Sequence, residues 1–472
     1  MAGRFLSLFK PIGRVLLEIK KPERKVSFNE KLFWTGLVLI VYLVMAEIPL
    51  FGIGGSAQDN LGALRVIFAS NRGTLMELGI GPIVTAGLIL QLLVGSSIIE
   101  CDMSDPQDRS LFTSASKVFS IALTGIQASA YLISGMYGTG LAGTTSIIIF
   151  LQLLLAGIIV MMLDELVQKG WGLGSGISLF IMAGVAQNVL WQTFNPQTGL
   201  FVGSLSALLN GQQTLMQWVL GSASGVYGTL IGFSATIGAF LTVIYLEGVR
   251  IEIPMTYAGY KGFRSRYPIK LLYVSNLPVI FASALFANVF FFTQLLWSQF
   301  GRPLPGTNIF FQIFGDYSQN VTTGNVRPVG GLAYLTTSPG NIQGVAADPL
   351  RAAAYLGILV AFCAVFSLIW LEVGGLGPQK VAKQLMDSGM QIPGYRRSGR
   401  PIEQILKRYI PVVTVLGGIV VGLIAGFSDW LGAFGSGTGI LLSVGIIYQY
   451  YELLMRERAA EMFPAFRRVL GE

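Results

Sequence analysis

Histidine is absent from this 472-residue chain. Its absence excludes a histidine proton relay, a Ser-His-Asp nucleophile or a histidine metal site. Only two cysteines occur. Cys101 falls in a polar stretch and Cys363 inside an apolar run, so they suggest neither a disulfide nor a metal centre. Charge is scarce at 12%, against about 25% in soluble domains. No Gly-x-x-x-x-Gly-Lys phosphate loop appears, so energy for any directed work comes from a partner. Apolar side chains make up 53% and glycine numbers 59. The chain therefore reads as a polytopic membrane protein, with glycines that let helices approach closely.

A spanning helix needs about 20 apolar residues. Ten stretches qualify as spans: Leu32–Leu50, Thr74–Ser96, Phe112–Ile133, Leu141–Leu163, Leu173–Leu190, Val226–Leu246, Leu271–Leu296, Ala352–Leu371, Tyr409–Phe427 and Gly439–Leu454. The fifth and tenth are short and enter through glycine-rich turns. With ten spans both termini share a side, and all but five of the 32 Lys and Arg fall on it. Those five are Arg65, Arg72, Arg302, Arg327 and Arg351. The positive-inside rule then places both termini in the cytoplasm. The long basic amino end reads as no cleavable signal. Phe5, Leu6, Phe9, Ile12, Val15, Leu16 and Ile19 recur there at helical spacing among basic residues, the pattern of a helix lying on the membrane surface.

Two motifs recur. Pro82-Ile83-Val84-Thr85-Ala86 returns in outline as Pro278-Val279-Ile280-Phe281-Ala282, and Gly174-Ser175-Gly176-Ile177 as Gly437-Thr438-Gly439-Ile440. The two offsets differ, and the excess falls in the outer loop from Trp297 to Arg351. Five spans is an odd number, so the second set is inverted relative to the first. Such repeats place a path at their interface. Lys117 sits near a helix end and can snorkel; Glu47, Glu77, Glu247 and Arg250 also lie near span ends. The interior holds almost no other charge, which disfavours an ion-coupled secondary transporter and a membrane-embedded enzyme. It suits a path closed by apolar side chains that exclude ions by dewetting. Residues 56–70 are semi-apolar but too short to span. Periodicity alone leaves a re-entrant segment and a surface helix equally open.

Gly79-Ile80-Gly81-Pro82-Ile83-Val84-Thr85-Ala86 with Gln91-Leu92-Leu93, Tyr267-Pro268-Ile269-Lys270, Tyr273-Val274-Ser275-Asn276-Leu277-Pro278 and Gly435-Ser436-Gly437-Thr438-Gly439 together resemble the SecY family. This family supplies the central subunit of the protein-conducting channel. The pattern is nearer its archaeal and eukaryotic branch, and runs over nearly the whole chain.

The resemblance implies an all-α membrane fold, a clamshell of two inverted five-helix halves with a re-entrant plug helix. It divides the chain into a cytoplasmic segment 1–31, an N-terminal half 32–195 with the plug at 56–70, an external connection 196–225, a C-terminal half 226–456 with cytoplasmic loops 247–270 and 372–408, and a tail 457–472. It implies a pore ring of Ile80, Val84, Ile177, Ile181, Ile280 and Leu442. A plug would use Leu61, Leu64, Ile67 and Phe68, with Arg65 unexplained. A lateral gate between the second and third spans and the seventh and eighth would carry a polar cluster of Thr85, Gln127 and Asn288. Three such groups in lipid should bond one another at roughly 0.6–2 kcal/mol per contact. Arg250, Lys261, Arg264, Arg266, Lys380, Arg396, Arg397 and Arg400 would dock a translating ribosome. The further partners implied are a SecE (gamma) subunit, a small beta subunit of SecG or Sec-beta type, nascent secretory and membrane polypeptides, and anionic lipids. The location implied is the plasma membrane, and no cofactor or enzymatic activity is expected. Gly418, Gly422 and Gly426, spaced by four, read as a close helix-packing face.

Overall fold

The computed structural model describes residues 11, 18–24, 26–52, 70, 73–95, 98–99, 101, 106–133, 143–221, 227–257, 264–274, 277–300, 303, 306–319, 326–391 and 399–462. Ten principal helices occupy them: α1 (Phe28–Glu47), α2 (Gly81–Gly95), α3 (Pro106–Ile133), α4 (Gly143–Leu166), α5 (Gly176–Phe194), α6 (Leu230–Gly248), α7 (Leu277–Gln299), α8 (Pro349–Val373), α9 (Gly399–Trp430) and α10 (Gly437–Met462). Each expected span overlaps one of them. Eight, all but α2 and α3, are long and apolar enough to cross a membrane. α2 has only 15 residues. α3 has 28 but carries Arg109, Lys117 and many hydroxyls.

Local chemistry sets the ends. α1 opens on a capping box: Ser27 Oγ accepts from the Glu30 amide at 3.3 Å, and Glu30 Oε2 from the Ser27 amide at 3.2 Å. α2 starts later than Thr74 because Gly79, at φ +54°, turns the chain just before it. α9 begins ahead of the expected Tyr409, running from the polar Gly399 through Pro411.

Side chains such as Ile40, Ile147 and Leu241 are 60%, 62% and 61% exposed and make an apolar exterior. The main core draws on α1, α2, α4, α5, α6, α7, α8, α9 and α10. α8 and α9 approach through the expected glycine face. A Cβ on Gly418 would lie 2.2 Å from Ser367 Oγ, and one on Gly426 2.3 Å from Leu356 Cδ1.

The expected loops 247–270 and 372–408 are more ordered than the sequence suggests. β1 (Arg250–Tyr257) and β2 (Arg264–Lys270) form an antiparallel hairpin with Arg250 opposite Lys270. A short strand, Met390–Gln391, pairs with β1 and joins the second loop to the first. Ile253, Met255 and Ile269 pack with Val381, Leu385 and Leu406 in one apolar cluster. The two loops thus form one platform. A second small hairpin, Asp316–Gln319 with Val326–Gly330, lies between α7 and α8.

Candidate pore and lateral gate

The side chains expected to form the ring fall within one apolar cluster. Ile80, Ile181 and Leu442 are 0%, 3% and 1% exposed, and Val84, Ile177 and Ile280 pack against them in the same core. Ile80 ends the turn before α2, Val84 sits on α2, Ile177 and Ile181 on α5, Ile280 on α7 and Leu442 on α10. Four helices from both groups of five thus meet at one apolar knot. Val84, Ile177, Ile181, Ile280 and Leu442 line a cavity of about 1070 Å³. Gln91, Thr113, Lys117, Gln168 and Lys169 line the same cavity. The cavity thus joins polar and aliphatic groups in one lining.

The glycine turns deliver α5 and α10 to this knot. Gly174 and Gly435 take φ +73° and +77°, where a side chain is strained. Gly176 and Gly437 then begin the two helices. The structural repeat is therefore Gly174-Ser175-Gly176 with Gly435-Ser436-Gly437, two residues earlier than the sequence alignment. In this register Ile181 corresponds to Leu442, and both line the cavity.

Sequence reasoning missed the acids that fix these turns. Asp164 of α4 accepts from the Ile177 amide at 3.0 Å. Asp429 of α9 accepts from the Gly437 amide at 2.6 Å. Both carboxylates are buried. The signal available was an acid inside an apolar run, shortly before each Gly-Ser-Gly. Lys117 has a partner on the next helix. Its Nζ lies 2.6 Å from Glu165 Oε1 on α4, and Lys169 also reaches Glu165 at 3.3 Å.

The gate helices meet, but not through the expected polar bonds. The Thr85 hydroxyl is buried without a partner. The Asn288 amide donates back to the Ala284 carbonyl at 2.8 Å. Gln127 is half-buried on α3. α3 and α7 are instead joined toward their carboxyl-terminal ends. The Tyr131 and Phe291 rings stack at 5.1 Å, and Gln299 Nε2 donates to the Ile133 carbonyl at 3.0 Å. An aromatic seam needs no polar partner, which is why a search for polar groups overlooked it.

The comparisons follow this geometry. The SecY family profile matches residues 74–451, and that of the plug domain of Sec61p matches residues 40–73. The chain belongs to the SecY family. A solved structure of a protein-conducting channel is 37% identical over 97% of this chain and 98% of that one, with TM-score 0.82. Sec61 in the canine ribosome–channel complex from the endoplasmic reticulum gives 37%, 97%, 98% and 0.79. The idle yeast Ssh1 complex bound to the 80S ribosome gives 27%, 94%, 93% and 0.73. As a SecY-family member the chain is a protein-conducting channel subunit, neither an inverted-repeat transporter nor an enzyme.

Other expected SecY-family features are placed unevenly. The plug side chains Leu61, Leu64, Ile67 and Phe68 lie outside the described residues, though within the stretch matching the plug domain. Lys261, Arg396 and Arg397 also lie outside them, as do the side chains of Arg264 and Arg400. Arg250, Arg266 and Lys380 are exposed on the platform. Arg266 pairs with Glu252 at 2.7 Å, and Arg250 with the same carboxylate at 3.3 Å. The Arg266 contact holds the Glu252 carboxyl below its usual range.

Proposed function

We propose that this chain is the pore-forming subunit through which unfolded polypeptides cross the membrane, and that its α2/α3–α7/α8 seam opens sideways to release apolar segments into lipid. One observation supports the reading: five aliphatic side chains from both groups of five helices, Val84, Ile177, Ile181, Ile280 and Leu442, line one cavity together with polar groups, and Ile80 is buried in the same apolar cluster. A translocating chain presents every kind of side chain. A fixed polar lining would bind some and stall them, whereas flexible aliphatic groups deform around all. When idle they close on one another and exclude water.

At the gate, a central Leu, Ile or Phe contributes about −0.3 to −0.6 kcal/mol and a Lys, Arg or Asp about +2.5 to +3.5. Summed over a span, these values decide between lipid and pore. Residues 56–70 act as the plug. The ten helices cross as spans with both termini in the cytoplasm of a plasma-membrane protein. The basic platform faces the ribosome, whose phosphates attract Arg250, Lys261, Arg264, Arg266, Lys380, Arg396, Arg397 and Arg400. The kinship with ribosome-bound channels supports that partner. A SecE (gamma) subunit and a small beta subunit complete the assembly, and anionic lipids meet the basic face.

The test is photocrosslinking from Ile177 and Ile280 to a stalled secretory chain in reconstituted vesicles. Adducts are expected at both positions and not at lipid-facing Ile147. Adducts at Ile147 alone would place the path elsewhere. Replacing Ile80, Val84 and Ile280 together with Gly is expected to make resting vesicles leak ions.

A further inference from the structure

The buried acids of α4 and α9 recur in a pattern that the ring and the gate do not by themselves require. In the second group of five helices, the Tyr355 hydroxyl of α8 donates to Asp429 Oδ2 at 2.7 Å. The other oxygen of that carboxylate takes the Gly437 amide of α10. One side chain on α9 thus holds a gate helix with one oxygen and a ring helix with the other. In the first group, Lys117 of α3 pairs with Glu165, and the adjoining Asp164 takes the Ile177 amide of α5. The order is the same in both: third helix, acid on the fourth, amino end of the fifth.

The backbones leave no slack. A Cβ on Gly176 would fall 2.7 Å from Asp164 Cα, and one on Gly437 2.1 Å from the Ala425 carbonyl. Tyr450 of α10 adds a tie across the groups, its hydroxyl facing the Leu173 and Ser175 carbonyls at 3.1 and 3.0 Å.

We propose that Asp429, and Asp164 with Glu165, are positioning residues that couple movement of the gate helices α8 and α3 to the ring helices α10 and α5, so that the seam and the constriction open together. The proposal rests on the gate and ring reading given above. A hydrogen bond to a buried carboxylate is of the strong, charge-assisted kind. Its loss on one arm lets the ring helix move while the gate stays shut.

The test uses the complete complex in planar bilayers. Cys101→Ser and Cys363→Ala clear the background, and Tyr131→Cys with Phe291→Cys, joined by a short bis-maleimide, lock the seam. The near-isosteric Tyr355→Phe is expected to raise resting ion conductance on the order of tenfold to a hundredfold, with the seam free or locked. Asp429→Leu is expected to match it. Asp429→Asn keeps an oxygen for the Gly437 amide and an N–H that can donate to the Tyr355 hydroxyl, so both arms persist and most of the seal is expected to be retained. Wild-type conductance in Tyr355→Phe overturns the proposal, even if that variant melts earlier, because a purely structural contact would lower stability without opening the ring. If Asp429→Leu does not fold, Tyr355→Phe alone decides. If the locked seam still inserts apolar helices, the gate reading fails, while unlocked Tyr355→Phe against wild type still judges the coupling.

Discussion

Removing the aromatic seam tests whether α3 and α7 hold the gate shut. The perturbation is Phe291→Ala combined with Gln299→Ala. The first deletes the ring stacked at 5.1 Å on Tyr131. The second deletes the amide that bonds Ile133. An aromatic pair contributes about 0.5–1.5 kcal/mol beyond its buried area, and a net hydrogen bond about 0.5–1.5 kcal/mol. Together they bias closure by about 1–3 kcal/mol, which is about 5- to 150-fold in the open-to-closed ratio. A central leucine contributes about −0.3 to −0.6 kcal/mol to insertion, so the bias equals about two to ten leucines.

The assay is a series of signal segments of rising leucine number, scored for engagement by the reconstituted channel. The double variant is expected to accept segments with at least two fewer leucines at half-maximal engagement. Ile147→Ala, on the exterior, should leave the curve in place. An unmoved curve in the double variant would show that the seam does not oppose opening and would refute the reasoning.

Gly437→Ala would press a methyl within 2.1 Å of the Ala425 carbonyl. It is expected to destabilise by about 1–3 kcal/mol, read as a lower melting temperature of the purified complex. An unchanged melting temperature would mean that α9 and α10 are looser than described. Lys117→Met leaves Glu165 with its weaker partner in a mostly buried site. A loss of up to about 3–5 kcal/mol is expected, largely recovered in Lys117→Met with Glu165→Met. Additive losses in that cycle would deny the pairing.

Asp348 caps α8. The Arg351 amide, and then the Tyr334 hydroxyl, hold its carboxyl below the usual range. The depressed value makes its contribution complete above the ordinary carboxylate pKa of about 3.9 and lost as pH falls through the folded value. Melting temperatures of wild type and Asp348→Asn should therefore differ at neutral pH and converge in strong acid. A constant gap would remove the charge from the argument.

Much of this was legible because lipid imposes a simple grammar. Long apolar runs located all ten helices, and Pro82 and Pro278 marked the two that carry Val84 and Ile280. The glycine spacing of Gly418, Gly422 and Gly426 foretold a close contact that α8 supplies. What escaped notice depended on partners far apart in sequence. Lys117 looked like a snorkelling terminus because Glu165 is 48 residues away. Asp164 and Asp429 sit inside apolar runs, where hydropathy averages them out, and their role appears only when the following turn folds back onto them. The gate was sought in Thr85, Gln127 and Asn288, yet in a helix a side-chain amide can satisfy itself on the preceding turn, as Asn288 does. The basic loops gave no hint of a shared sheet, since the residues of Met390–Gln391 carry no strand pattern of their own.

The corresponding turns at Gly174 and Gly435 open α5 and α10 in the same way, so the proposed waist takes like elements from both groups of five. A passage of that kind has no built-in sense of travel. Whatever makes a polypeptide advance rather than drift back must act at the mouths, by pushing at one or trapping at the other, and the same waist would serve either strategy unchanged.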